Sequence, residues 1–168
     1  MNNNTIIIGI DNGIAGGISF FKPETNNLIV VPMPIVKAAK DGRNEYDIPA
    51  IVDLLRSYKD VKIVILEKAQ PYPGIGATAV FTNGRNYGIM EGILVTMSLP
   101  YMVVHPKTWQ KKMFEGMPYD DTKKASILTA KRLFPAVSFK AGEKTTIDHH
   151  GMTDSALMAV YGSITYGK

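Results

Sequence analysis

The alternation of apolar and polar positions divides the chain into short blocks. Ile6-Ile7-Ile8-Gly9-Ile10 is an uncharged, β-branched run that predicts a strand buried on both faces. It stops at Asp11-Asn12-Gly13, a carboxylate at a strand tip followed by a turn. Gly13, Gly16 and Gly17 predict a tight return into Ile18–Phe21, and the turn chemistry of Lys22–Asn27 leads to Leu28–Val31, giving an antiparallel three-strand meander. Residues 32–45 hold two prolines and a mixture of Lys37, Lys40, Asp41, Gly42 and Arg43, and read as an exposed loop. Asp47 caps a helix in which Ile48, Ile51, Val52, Leu54 and Leu55 have helical spacing and Pro49 is tolerated in the first turn. That helix crosses to Val61–Leu66, a second apolar strand, which ends in Glu67. A helical crossover makes the two strands parallel, so if they are neighbours Asp11 and Glu67 share one sheet edge.

Lys68–Gly76 is a loop of proline, glycine and one aromatic, Tyr72. The pattern from Ala77 to Ser98 is helical, with Gly84, Gly88 and Gly92 at four-residue intervals, a close-packing seam within the domain or between two subunits. Tyr101–Val104 is a short strand, and His105–Lys112 opens a basic helix containing the single tryptophan, Trp109. Asp120 or Asp121 caps a further helix with Ile127, Ala130 and Phe134 facing inward, ended by Pro135; Lys140–Lys144 is a loop. The last block, Asp148–Gly162, predicts a helix with Asp148 as its N-cap. The elements amount to an α/β protein with a five-stranded mixed sheet flanked by helices.

In that final helix Asp154 shares a face with Leu157, Met158 and Tyr161, and an acid on an apolar face is costly unless it binds something. His150 lies one turn earlier on the same face. An acid after a strand is often only a cap or a solvated loop residue, and a lone histidine is often a surface or core residue. Convergence of a third carboxylate shifts the balance. Like charges held close need a cation between them, and hard oxygen ligands select Mg²⁺ or Mn²⁺. Asp11, Glu67 and Asp154 on two strand tips and a helix suit a two-metal phosphodiesterase, with His150 completing a metal's shell or handling a proton. Asp148 is the alternative fourth ligand.

Composition narrows the class. The 168 residues, 45% hydrophobic and 20% charged, are expected to form one globular domain spanning residues 1–168. With no cysteine, disulfides, thiolate metal sites and cysteine nucleophiles are excluded. Met1–Asn4 carries no basic leader, and the apolar region Tyr87–Val104 is interrupted by Glu91 and Pro100, so a cytoplasmic protein without a membrane span is expected. The net charge of +4 is unevenly spread: residues 1–100 hold nine Lys and Arg against nine acids, residues 101–147 nine against four. A basic half joined to an acidic site suggests a polyanionic substrate, although a solvated helix face explains part of the surplus.

Four motifs in order, Gly9-Ile10-Asp11-Asn12-Gly13, Leu66-Glu67-Lys68-Ala69-Gln70-Pro71-Tyr72-Pro73, His105-Pro106-Lys107-Thr108-Trp109 and His150-Gly151-Met152-Thr153-Asp154-Ser155-Ala156-Leu157, resemble the RuvC-type Holliday junction resolvases, nearest to the plastid and phage branch. The resemblance spans nearly the whole chain. It implies an RNase H-like fold and a homodimer that makes paired, Mg²⁺- or Mn²⁺-dependent nicks in a four-way DNA junction. The residues implied as metal ligands are Asp11, Glu67 and Asp154. Bacterial members place an acid or histidine three residues before the last aspartate, where this chain has Gly151, so His150 becomes the substitute. The resemblance makes Tyr72 a candidate for stacking on an unpaired base, and Arg85, Lys107, Lys111, Lys112, Lys123 and Lys124 candidate DNA contacts. Three rivals stand beside this reading. An actin-like nucleotide-binding lobe would need a second lobe, an inactive junction-binding protein would not need all three acids, and a nuclease for RNA:DNA hybrids or other branched DNA would use the same site.

Overall fold

A computed structural model describes residues 5–39, 42–71, 74–116 and 121–167. The isoleucine run forms β1 (Ile6–Asp11), whose alternate side chains feed two separate apolar clusters on the two faces of the sheet. Ile7, Ile8 and Ile10 are fully buried, each contributing about 1.5–3 kcal/mol of transfer free energy. β2 (Gly17–Lys22) and β3 (Asn27–Pro32) extend β1 as the antiparallel meander. α1 (Ile48–Arg56) begins at Asp47, whose side chain accepts a hydrogen bond from the Ala50 amide, and carries the chain to β6 (Val61–Glu67), parallel to β1. β7 (Tyr101–Val104) pairs parallel with β6, and the sheet order is β3-β2-β1-β6-β7.

Helices cover both faces. α1 and α2 (Ala77–Thr96) enclose the cluster built on Ile8, Ile10 and Leu66. α3 (Pro106–Met113), α4 (Thr122–Leu133) and α5 (His150–Tyr166) enclose the cluster built on Ile7, Ile65 and Trp109. α5 lies across β1, β2 and β6. It lies there at backbone distance because of two glycines. A Cβ on Gly9 would run into the Ser155 carbonyl, and one on Gly151 would meet the Ala15 carbonyl. At the same contact the Ser19 and Ser155 hydroxyls are hydrogen-bonded at 2.7 Å. No helix among the described residues is long and apolar enough to cross a membrane.

Four sequence expectations are corrected. The segment read as a loop contains β4 (Ile35–Lys37) and β5 (Asn44–Tyr46), an antiparallel pair whose Tyr46 is buried; residues 40 and 41 lie outside the described residues. The N-cap of α5 is His149, whose Nδ1 accepts from the Met152 amide, while Asp148 is ion-paired with Lys131 at 2.6 Å. Gly84, Gly88 and Gly92 have open space where a Cβ would stand, so they form no seam within the described residues. In α4, capped by Asp121, the buried face runs through Ala125, Ser126, Thr129 and Ala130, with Ile127 only partly buried. Asp120, the other expected cap, lies outside the described residues.

Candidate active site

The register of the parallel pair sets the site. Ile10 lies opposite Leu66, so Asp11 and Glu67 are the next residues along at the same C-terminal edge. They line one small cavity of about 80 Å³ with Asn12, Lys68, Gln70 and Asn83. Asp154 approaches from α5, which the glycine contacts press against β1. After burial, its charge adds to the upward shift of both Asp11 and Glu67, so the three carboxylates repel one another.

Each acid is held by a specific donor. Asp11 Oδ1 accepts from the Gly13 amide at 3.1 Å, within the turn that ends β1. Glu67 Oε1 accepts from Trp109 Nε1 at 2.9 Å, and Trp109 is fully buried beneath α3. Asp154 accepts from the Ser126 hydroxyl of α4. Burial, then the charges of Glu67 and Asp154, raise Asp11 well above its ordinary 3.8, against the Gly13 hydrogen bond. Burial pushes Glu67 up to about 7, opposed by Trp109 and reinforced by Asp154. Burial also raises Asp154, while Ser126, His150 and Lys123 pull it back.

The charges of His150 and Lys123 act on Asp154. His150 Nδ1 is buried and has no hydrogen-bond partner among the described residues. Three mutually repelling carboxylates beside an imidazole with an orphaned nitrogen are a donor set of the right charge and hardness for a divalent cation. Among the described residues, no group of three or more His, Asp or Glu side chains stands close enough together to hold a metal ion as they are placed. The fit is therefore one of chemistry and charge.

The structure thus places Asp11 and Glu67 on one cavity, with the charge of Asp154 acting on both and that of His150 on Asp154. Lys107, Lys111 and Lys112 are exposed on α3, whose inner side carries Trp109 to Glu67, and Lys123 and Lys124 are exposed on the first turn of α4. Lys112 is ion-paired with Glu115 at 3.2 Å. Arg85 stands apart from the acids, in a different cavity on α2. Tyr72 lies outside the described residues. The pattern reading missed Trp109 and Ser126 as donors to the acids. It also missed Tyr46, whose hydroxyl donates to the Asn12 carbonyl and whose pKa is raised by burial and by the charge of Asp11. A lone tryptophan in a basic helix and a serine beside the apolar positions of α4 were the available signals.

The strand order, the mixed parallel and antiparallel pairing and the helices on both faces define an RNase H-like fold. Among solved structures, the chain is similar to T. thermophilus RuvC in complex with a Holliday junction substrate (12% identity over 94% of this chain and 92% of that one, TM-score 0.55). It is similar to Thermus thermophilus RuvC alone (15%, 95% of each chain, 0.53) and to the yeast mitochondrial Holliday junction resolvase Ydc2 (16%, 94% of this chain and 77% of that one, 0.56). The chain has the fold of the RuvC-type resolvases. No family model and no curated protein matches its sequence.

Proposed function

We propose that this protein is an endonuclease that resolves four-way DNA junctions by metal-dependent phosphodiester hydrolysis. The observation that carries the reading is the placement of Asp11 and Glu67 at the C-terminal edge of β1 and β6, acted on by the charge of Asp154 from α5, in a fold shared with junction resolvases. Asp11, Glu67, Asp154 and His150 would hold Mg²⁺ or Mn²⁺, two ions in the full site. When bound, such ions lower the pKa of an attacking water and neutralise charge at phosphorus.

The chain's own residues supply orientation and substrate grip. Trp109 and Ser126 fix one oxygen each of Glu67 and Asp154, leaving the remaining lone pairs for ligation. The exposed lysines of α3 and α4 take the phosphates flanking the site, and Tyr72 is assigned to a base at the junction centre. The open ridge of Gly84, Gly88 and Gly92, with Val95 62% exposed beside it, is assigned to a second copy of the chain, which would give the two active sites that paired nicks require.

The test is incubation of a synthetic four-way junction, a linear duplex and an RNA:DNA hybrid, each with Mg²⁺ and with EDTA. Symmetric nicks in the junction alone, lost in EDTA, are expected. Cleavage confined to the hybrid, or cutting that persists in EDTA, would overturn the reading.

A further inference from the structure

A second cavity, of about 320 Å³, lies between β5 and α2 and is lined by Arg43, Glu45, Phe81, Thr82, Arg85 and Asn86 among others. Three features set it apart from an ordinary surface hollow. Asn86 is fully buried, yet neither its amide nitrogen nor its amide oxygen has a hydrogen-bond partner among the described residues. Buried polar groups are almost always paired, so an orphaned carboxamide in a cavity wall points to an absent partner. Phe81 is 72% exposed, an uncompensated aromatic surface at the same cavity. Arg85 meets the Glu45 carboxylate at 3.8 Å where both side chains are about half exposed, and Arg43 lines the same cavity.

From these we infer that the cavity is a binding pocket for one unpaired nucleobase of the DNA strand and its phosphate. Phe81 supplies a stacking face and the arginines a phosphate contact. Asn86 presents one donor and one acceptor, the pattern that pairs with a base carrying an amino group beside a ring nitrogen, and Glu45 adds a second acceptor. The carboxamide alone would also take thymine's N3–H and O4; it is Glu45, satisfied by an amino group and repelled by a carbonyl, that favours adenine and cytosine over thymine. The volume lies within the range of small-ligand sites.

Position supports the assignment. Asn83, three residues from Asn86 on the same helix, lines the cavity of Asp11 and Glu67, so α2 forms a wall of both cavities. Glu45 and Tyr46 are consecutive on β5, one at the base pocket and the other hydrogen-bonded to Asn12 beside Asp11. The inference rests on the nuclease reading for its substrate and adds the part of the substrate recognised. A second copy of the chain suits the glycine ridge better than a concave, charged pocket with a buried carboxamide.

Two measurements test it. In the first, the full chain carrying Asp11→Asn is studied by NMR, following the Asn86 side-chain amide signals, assigned by their loss in Asn86→Ala. A cytosine-containing pentanucleotide is expected to move these signals at lower concentration than oligothymidine does, and inorganic phosphate and an abasic oligonucleotide to leave them in place. In the second, nucleotides flanking the cut in a four-way junction are replaced one at a time by abasic residues. Loss of one particular base is expected to slow cutting about tenfold. The same loss is expected to have no further effect in Asn86→Ala, or in Arg85→Ala should the first variant fold poorly.

A flat abasic scan with unmoved Asn86 signals would overturn the pocket while leaving junction cutting intact. Asn86 signals that follow protein concentration instead of the oligonucleotide would overturn it in favour of a subunit contact. If the junction is never cut but the Asn86 signals respond to the cytosine oligonucleotide, the pocket stands and the nuclease reading falls.

Discussion

α5 and α2 both carry glycines against otherwise apolar sequence, and the glycines do opposite things. On α5, Gly151 is locked against the Ala15–Gly16 backbone, and its counterpart Gly9 on β1 against Ser155, so the helix reaches the sheet at a distance no larger residue permits. On α2, Gly84, Gly88 and Gly92 face open space and nothing in the described chain presses on them. The first set places a carboxylate, Asp154, beside Asp11; the second leaves a bare ridge. Spacing alone cannot distinguish a glycine that is needed from one that is merely permitted, because the difference lies in what arrives from elsewhere in the chain.

The comparison can be broken most severely at the acid that α5 is pressed against. Asp11→Asn is expected to reduce junction cutting by roughly a thousandfold or more, the loss of several kcal/mol of transition-state stabilisation, with junction binding retained in a gel shift. The same change has a second signature. Because Glu67 is raised to about 7 from 4.5, and Asp11 and Asp154 are raised too, the folded state favours the protonated acids. Their contribution is fully present below the unfolded pKa values and is lost as pH rises through the folded ones. Without divalent ions, the melting temperature is therefore expected to fall between about pH 4.5 and 7; Asp11→Asn flattens that slope and Mg²⁺ opposes it. A slope that is unchanged in Asp11→Asn would mean that the acids do not share a site.

Next in size, Gly151→Ala is expected to destabilise by about 3 kcal/mol, since backbone stands where the methyl would go. For a chain of this length that lowers the melting temperature by about 6–12 °C. A thermal shift under 2 °C would show that α5 can lift without cost. Trp109→Phe keeps the ring in the core but removes the donor to Glu67, and is expected to slow cutting by about 10–100-fold with little change in melting temperature. Equal losses of rate and stability would reduce Trp109 to a packing role. The smallest effect is expected on α2, where Gly88→Ala adds helix propensity in open space and stabilises the monomer by up to about 1 kcal/mol. If the ridge seats a second copy, sedimentation velocity will show dimerisation weakening more for Gly88→Leu than for Gly88→Ala.

The legible parts of the fold were those in which side-chain chemistry repeats with the period of the backbone. Ile6–Ile10 and Val61–Leu66 could hardly be other than buried strands, and the strand-tip positions of Asp11 and Glu67 followed from them. Asp154 was legible because a charge interrupts an apolar helix face. β4 and β5 were not, being three residues each with exposed Lys37, Asn44 and Glu45 and prolines before them; Tyr46, packed in the core, holds them in place. Asp148 has the better cap chemistry, yet Lys131 of α4 claims it at the surface and His149 caps instead. Trp109 and Ser126 act on acids 42 and 28 residues away, and no local pattern encodes such a pairing.

The order of elements has one more consequence. Two of the three carboxylates are in place once residue 67 has been made, but the third rides on a helix that begins at residue 150. Until that helix emerges from the ribosome, the growing chain has an uncovered apolar sheet face and an incomplete acidic site. The acidic site is thus completed in one late step, together with the stability of the sheet that supports it.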